Sequence, residues 1–165
     1  MSMVEFDEIQ NWLLNCGINV VSDDDEIREY MESHPNCLHL LKADVRNTEV
    51  SFRVHFEDPS GESFDIRTAR NFNEKDEVNF SLLSETARQK YYMNLRRIAY
   101  PFGLNVVIYP KSYDAHFTKT FFVNGLTKQY FFDKLFDFIH ASEFLVIAYH
   151  NLSGSKSVVD PKDLT

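Results

Sequence analysis

Four groups of side chains in this sequence combine residue types and spacings that could do chemistry. Cys37-Leu38-His39, with His34 three residues earlier, offers a thiol and two imidazoles, ligands that zinc favours. A structural zinc site takes four ligands, commonly as two tight pairs, and no second pair is present. Cys16, the other cysteine, falls on the apolar stripe of a predicted helix, where a free thiol acts as a small hydrophobe. The expectation is that no metal is held. Asp23-Asp24-Asp25 is rich in carboxylate but lacks the alternating spacing, the glycine and the distal glutamate of a calcium loop. It reads instead as a helix start, where carboxylates suit the dipole.

The third group is His55, Asp65 and Ser51. A predicted hairpin puts all three on one outward face, so a His–Asp pair with a serine beside it is sterically conceivable. Residues on the outer face of a strand are ordinarily surface, and no catalytic role is expected there. The fourth group is Arg88, Lys90, Arg96 and Arg97, interleaved with Tyr91 and Tyr92 on a predicted helix over 84–100. Arginine next to aromatic rings is a weak signature of RNA contact. In a chain with excess carboxylate, these cations are expected to pair with the protein's own acids. None of the five glycines belongs to a G-x-G-x-x-G or P-loop motif, and no G-x-S-x-G occurs, so neither a cofactor nor a nucleophile is indicated.

The whole chain sets the frame for these residues. With 165 residues, 44% of them hydrophobic, it can bury the core of one domain without staples. Its net charge of −8 argues against nucleic acid and against an anionic membrane surface. The start, MSMVEFDEIQ, is acidic where a secretion signal would be basic. The longest apolar run, Phe144 to Ala148, is far short of the ~20 residues of a membrane span. A cytoplasmic protein with reduced thiols is expected.

The elements that must position these groups follow from periodicity. Ser2 to Glu5 has the form of a capping box, and Phe6, Ile9, Leu13 and Cys16 share one face of a helix over Met3–Cys16 that ends at Gly17. Ile18 to Val21 reads as a short strand. Residues 23–47 are ambiguous between helix and strand: Ile27, Tyr30, Met31 and His34 suit a short helix before Pro35, and Cys37 to Val45 suits a strand. Val50, Phe52, Val54 and Phe56 alternate with polar residues, as do Phe64, Ile66 and Thr68, around the turn Asp58-Pro59-Ser60-Gly61. A three-residue loop with Gly61 as the bulge pairs Val54 with Ile66 and Phe56 with Phe64, and keeps the apolar residues on one face. It also sets Arg53 opposite Arg67, with Asp65 diagonal to them. Val78, Phe80 and Leu82 predict another strand, Ser84 opens the basic helix, and Leu104 to Tyr109 predicts a central strand. His116 to Val123 is the last strand, and Thr127 caps a long final helix. Residues 1–152 thus read as one α+β domain, an antiparallel sheet packed against N-terminal, middle and C-terminal helices, followed by a tail over 153–165.

Two segments carry a resemblance. Ile9 to Val20, I-x-x-W-L-x-x-x-G-I-x-V, and Asn124 to Asp133, N-G-L-T-K-Q-Y-F-F-D, resemble an uncharacterised archaeal domain family whose fold is similar to the type III secretion chaperones. The resemblance implies a non-enzymatic, chaperone-like interaction module, often a homodimer with a protein client; it assigns no catalytic residues.

The final helix bears on that implication. At ~100° per residue, Phe131, Leu135, Phe138, Ile139, Leu145, Val146 and Tyr149 form a stripe, and Phe132, Phe136 and Ile147 widen it to roughly 200°, about twice what one sheet face needs. These three are the candidate interface, with the core favoured over the interface for Phe132, and the interface, most simply with a second copy, favoured for Phe136. The competing expectation is a small-molecule binder or enzyme with a pocket between sheet and helices, and RNA binding through the basic helix (Arg88, Arg96, Arg97) comes third.

Overall fold

The computed structural model describes residues 5–21, 23–45, 50–69, 74–108 and 115–154, with side chains described for all of these except 69, 74–77 and 145–154. Six strands form one antiparallel sheet in the order β1 (Asn19–Val21), β2 (His39–Asp44), β3 (Ser51–Phe56), β4 (Ser63–Ala69), β6 (Ala115–Phe122), β5 (Asn105–Ile108). The helices are α1 (Phe6–Asn15), α2 (Asp25–Ser33), α3 (Glu74–Ser81), α4 (Glu85–Ala99) and α5 (Lys128–Gly154). The chain is therefore an α+β protein. Among the described residues no helix is long and apolar enough to cross a membrane.

The β3–β4 hairpin has the register its pattern dictates: Val54 pairs with Ile66, Phe52 with Thr68, Arg53 with Arg67 and His55 with Asp65. The turn is fixed by Asp58, whose carboxylate accepts from the Ser60 N–H at 2.9 Å and whose carbonyl accepts from Gly61 N–H at 2.9 Å. Gly61 sits at φ 67°, a conformation that a Cβ disfavours. On the inner face Phe56 stacks on Phe64 at 4.7 Å between centroids, Phe64 on Phe121 at 5.2 Å, and Phe131 of α5 closes over Phe121 at 5.3 Å. α1 seals this core with Ile9 and Leu13, α4 with Tyr91, Leu95 and Ala99, and α5 with Phe131, Leu135, Phe138 and Ile139.

Helix ends follow local rules. Asp24 caps α2 by accepting from Ile27 N–H at 2.7 Å, Ser84 caps α4 through Ala87 N–H at 3.1 Å, and the Thr127 hydroxyl accepts from Tyr130 N–H at 3.2 Å at the start of α5. α1 ends in a Schellman motif, with Ile18 N–H on the Leu13 carbonyl and Gly17 N–H on that of Leu14, Gly17 at φ 74°.

Several expectations are corrected. α1 begins at Phe6 with Glu5 at its cap, so Glu5 is not the third helical residue of a capping box; Ser2 lies outside the described residues. Cys16 is exposed at the end of α1 rather than on the buried stripe, because the helix has already stopped. Residues 23–47 hold both elements, helix then strand. Val78, Phe80 and Leu82 lie in and just after helix α3, not a strand: only Phe80 is buried, while Val78 and Leu82 are exposed, so three alternate positions gave no true period. β5 is an edge strand, not a central one; its apolar look arises because Val106 and Ile108 pack on the core while Val107 borders a cleft on the opposite face. Ser153 and Gly154, assigned to the tail, belong to α5, and 155–165 lie outside the described residues.

Phe64 touches three other rings at the centre of the core. Phe64→Ala should cost about 3–5 kcal/mol, read as a lower urea midpoint at an unchanged slope.

Candidate functional site

The sheet face opposite α1, α4 and α5 carries the alternate residues of every strand. It is polar across β3, β4 and β6, and α2 lies over its β2 end. α2 is seated by a small cluster of Ile27, Cys37 and Leu40, joined by Val21, Tyr30 and Met31. Between α2 and β5 lies a cleft of roughly 430 Å³, lined chiefly by Tyr30 and His34 from α2, by Arg53, His55 and Arg67 from the hairpin, and by His116 from β6.

Arg53 and Arg67 face each other on neighbouring strands, which is unfavourable for like charges unless counterions are near. Both have them. Glu26 of α2 binds Arg53 Nη2 with one oxygen and Lys42 Nζ with the other, the latter at 3.1 Å. The hydrogen bond from Lys42 is the largest influence holding the Glu26 carboxyl below its usual range; burial opposes it, and the charges of Lys42 and Arg53 add to it. Arg67 Nη2 binds Asp65 at 3.1 Å and Glu57 at 3.4 Å. Three cations thus meet three carboxylates. Among the described residues only the Nη2 groups of the two arginines are engaged, which leaves the Nε and Nη1 donors of both.

Tyr30 organises the rest. His34 stacks on its ring at 3.9 Å, Arg53 lies over the ring at 5.3 Å, and His55 meets it edge-on at 5.3 Å. Burial raises the pKa of the Tyr30 phenol, so it stays a proton donor, and among the described residues its hydroxyl makes no hydrogen bond. His34 Nδ1 lies 2.9 Å from both the Tyr30 carbonyl and the Ser33 hydroxyl, so this nitrogen has a partner in either tautomer, and among the described residues Nε2 makes no hydrogen bond. His116 Nδ1 makes the same kind of bond to the Thr68 carbonyl at 3.1 Å.

The outward face of the hairpin is not ordinary surface. His55 is 2% exposed, because α2 covers it. Burial, then the charges of Arg67 and Arg53, depress its pKa from 6.5 to about 3, with Asp65 opposing. The neutral ring donates Nδ1–H to Glu57 at 3.3 Å. Ser51, the imagined third member of a triad, is bonded to Asp44 instead.

The other sequence candidates are dispersed. Cys37 is buried, burial raises its thiol pKa, and the thiol turns to the His39 carbonyl; the His39 ring stacks on Phe6 at 4.9 Å. Among the described residues no three His, Cys, Asp or Glu side chains are placed to hold a metal. Arg88, Lys90, Arg96 and Arg97 make no ion pair among the described residues, contrary to expectation, because α4 lies beside β5, far from the acidic helices at the β1 end. Phe132 is 9% exposed and Phe136 48%, their rings 6.2 Å apart; the side chain of Ile147 lies outside the described residues. The cleft escaped sequence reading since α2 comes from a segment of ambiguous pattern, although His55, Asp65, Arg53 and Arg67 were all assigned to one face.

These features define an α+β protein with a helix-covered core on one sheet face and a polar cleft on the other. The fold is shared with the crystal structure of an uncharacterized protein from Methanothermobacter thermautotrophicus, with a TM-score of 0.65 at 15% identity over 88% of this chain and 96% of that one. No protein-family model and no curated protein matches the chain.

The depressed pKa of His55 gives stability a pH dependence. Between pH 6.5 and about 3 the unfolded chain binds a proton at this site and the folded chain does not, so the contribution is full above pH 6.5 and falls as pH drops through that window. Urea titrations of wild type and His55→Gln across it should differ in slope by about 1.4 kcal/mol per pH unit, the wild type being steeper.

Proposed function

We propose that this protein binds a small polar molecule in the outer-face cleft, through a carboxylate or phosphate group held by Arg53 and Arg67. One observation carries the reading: two guanidinium groups stand side by side with unspent N–H donors, near a phenol hydroxyl and the Nε2 of an imidazole that are also uncommitted among the described residues. Guanidinium forks suit planar oxyanions, and a bound oxyanion relieves the repulsion between the two arginines. The balance of three cations and three carboxylates keeps the empty cleft stable and limits affinity for a bare ion, so the rest of the ligand must contribute through Tyr30, His34 and the apolar edge at Val107.

A panel of small carboxylates and phosphates, followed by amide NMR shifts and melting temperature, tests this. At least one should perturb residues of β3, β4 and α2 at millimolar concentration or below and raise the melting temperature. Arg67→Gln should abolish both effects while Phe136→Asp leaves them. A panel without effect on the wild type would remove the proposal.

A second reading is favoured by α5. Phe136, His140 and Phe144 recur at intervals of four on its exposed side, with Phe136 against Phe132. This row supports a homodimer or a client-binding surface of the chaperone-like kind. Light scattering should then show a dimer that Phe136→Asp converts to monomer with the fold intact; a wild type that is monomeric at all micromolar concentrations would exclude it.

A further inference from the structure

Among the described residues, two clusters of exposed charge of opposite sign stand at different places on the sheet. α1 packs beside β1 and α2 beside β2 at one end; α4 packs beside β5 at the other. Glu5, Asp7 and Glu8 at the start of α1, and Glu29 and Glu32 on α2, are exposed and make no ion pair among the described residues. On α4, Lys90, Arg96 and Arg97 are likewise exposed and unpaired among the described residues. Arg28, Lys42, Arg53, Arg67 and Lys134 each hold a carboxylate, whereas Lys128 on α5 is exposed without an ion pair among the described residues, and Glu85 is an exposed carboxylate at the start of α4 itself. The α4 face also has an apolar component, since Met93 is 54% exposed and Tyr100 75%, and both lie on the same side as Arg96 and Arg97.

The sheet keeps the two sets apart. Phe6 at the start of α1 packs on His39 of β2 and Phe56 of β3, and α2 reaches the same two strands, so three to four inter-strand steps of about 4.8 Å, about 14–19 Å, lie between these helices and β5. That exceeds the Debye length of about 8–10 Å at ordinary ionic strength, so the two sets cannot neutralise one another within a chain. Between two chains they can.

We propose that the α4 face of one molecule docks on the α1–α2 end of a second copy, head to tail. Charge selects this occupant. Two basic ends repel and so do two acidic ends, which opposes a symmetric contact through either. The unlike contact joins Lys90, Arg96 and Arg97 to Glu29, Glu32 and the α1 carboxylates and covers Met93 and Tyr100. A nucleic acid fits less well, because three cations neutralise few phosphates and a net charge of −8 repels a polyanion at long range. The contact is heterologous: each docked copy leaves its other end open, so assembly continues beyond the dimer as concentration rises.

Sedimentation of the full chain at about 10 mM and about 1 M NaCl, where the Debye length is about 30 Å and 3 Å, tests the contact. The weight-average mass should climb past that of a dimer at low salt and return to the monomer at high salt. R96E/R97E and E29K/E32K should each weaken low-salt association by at least about tenfold, and an equimolar mixture of the two should associate again. If circular dichroism shows that a charge reversal has unfolded the chain, R96Q/R97Q takes its place. A monomer at every salt concentration overturns the proposal. So does an oligomer that R96E/R97E leaves intact, or a salt-insensitive dimer, which belongs to α5. Low-salt binding of a labelled single-stranded RNA by wild type, lost in R96E/R97E without any self-association, assigns the face to nucleic acid and overturns it equally.

Discussion

Phe56, Phe64 and Phe121 lie ring beside ring across three neighbouring strands, and the pairing that aligns them places everything else on the sheet. The same register that brings Val54 to Ile66 sets Arg53 against Arg67 and His55 against Asp65 on the reverse face. A slip of one residue would carry all of these side chains to the wrong side. Core and cleft are therefore two consequences of one constraint. The aromatic column is the energetic reason for the register, through the area it buries, and the row of charges is what that register imposes on the other face. The turn at Asp58–Gly61 assists by favouring a loop length that permits only this alignment.

The parts of this arrangement that could be read from sequence are those decided within a few residues. The alternation from Val50 to Phe56 and from Phe64 to Thr68, with a turn of known geometry between, gave the hairpin and its register together. Asp24, Ser84 and Thr127 announce helix starts because one side-chain oxygen answers a nearby N–H, and Gly17 marks a stop because it accepts positive φ. What could not be read depends on the assembled molecule. The three alternate apolar residues Val78, Phe80 and Leu82 suit a strand, but Phe80 alone finds the core once α3 packs beside α4. β5 looked central because one of its faces meets the core and the other borders the cleft, while its position at an edge is a matter of strand order. The burial of His55 depends on a helix some 25 residues earlier in the chain crossing its strand.

That helix, α2, is joined to the sheet in an unusual way. Its apolar contacts form a cluster separate from the main core, and its strongest polar tie is Glu26, which reaches Lys42 and Arg53 on two strands. A short helix held by a small satellite cluster opens at lower free energy than the body of a domain. Glu26, Tyr30 and His34 stand on this helix, whereas Arg67, His55 and His116 stand on the hairpin and β6. A ligand that draws on Arg53 competes with Glu26, and one that also engages Tyr30 replaces the tie it breaks. Under the proposed function, occupancy of the cleft is thereby coupled to the seating of α2.

Among the described residues, the cations of the cleft and those of α4 differ in their distance from carboxylate. Lys42, Arg53 and Arg67 lie within 4 Å of acids on the sheet or on α2, and their charge is spent locally on letting a polar face pack under a helix. Lys90, Arg96 and Arg97 have no such neighbour among the described residues, since the sheet's width stands between α4 and the acidic helices. Local pairing explains why the cations and carboxylates at the cleft balance. Separation explains why the ends retain their charge and act at long range. An acidic protein with a net charge of −8 would ordinarily repel its own copies, and that repulsion weakens only in the orientation that brings α4 towards the α1–α2 end. The same sheet that fixes the cleft through its register therefore sets the polarity of any contact between copies through its width.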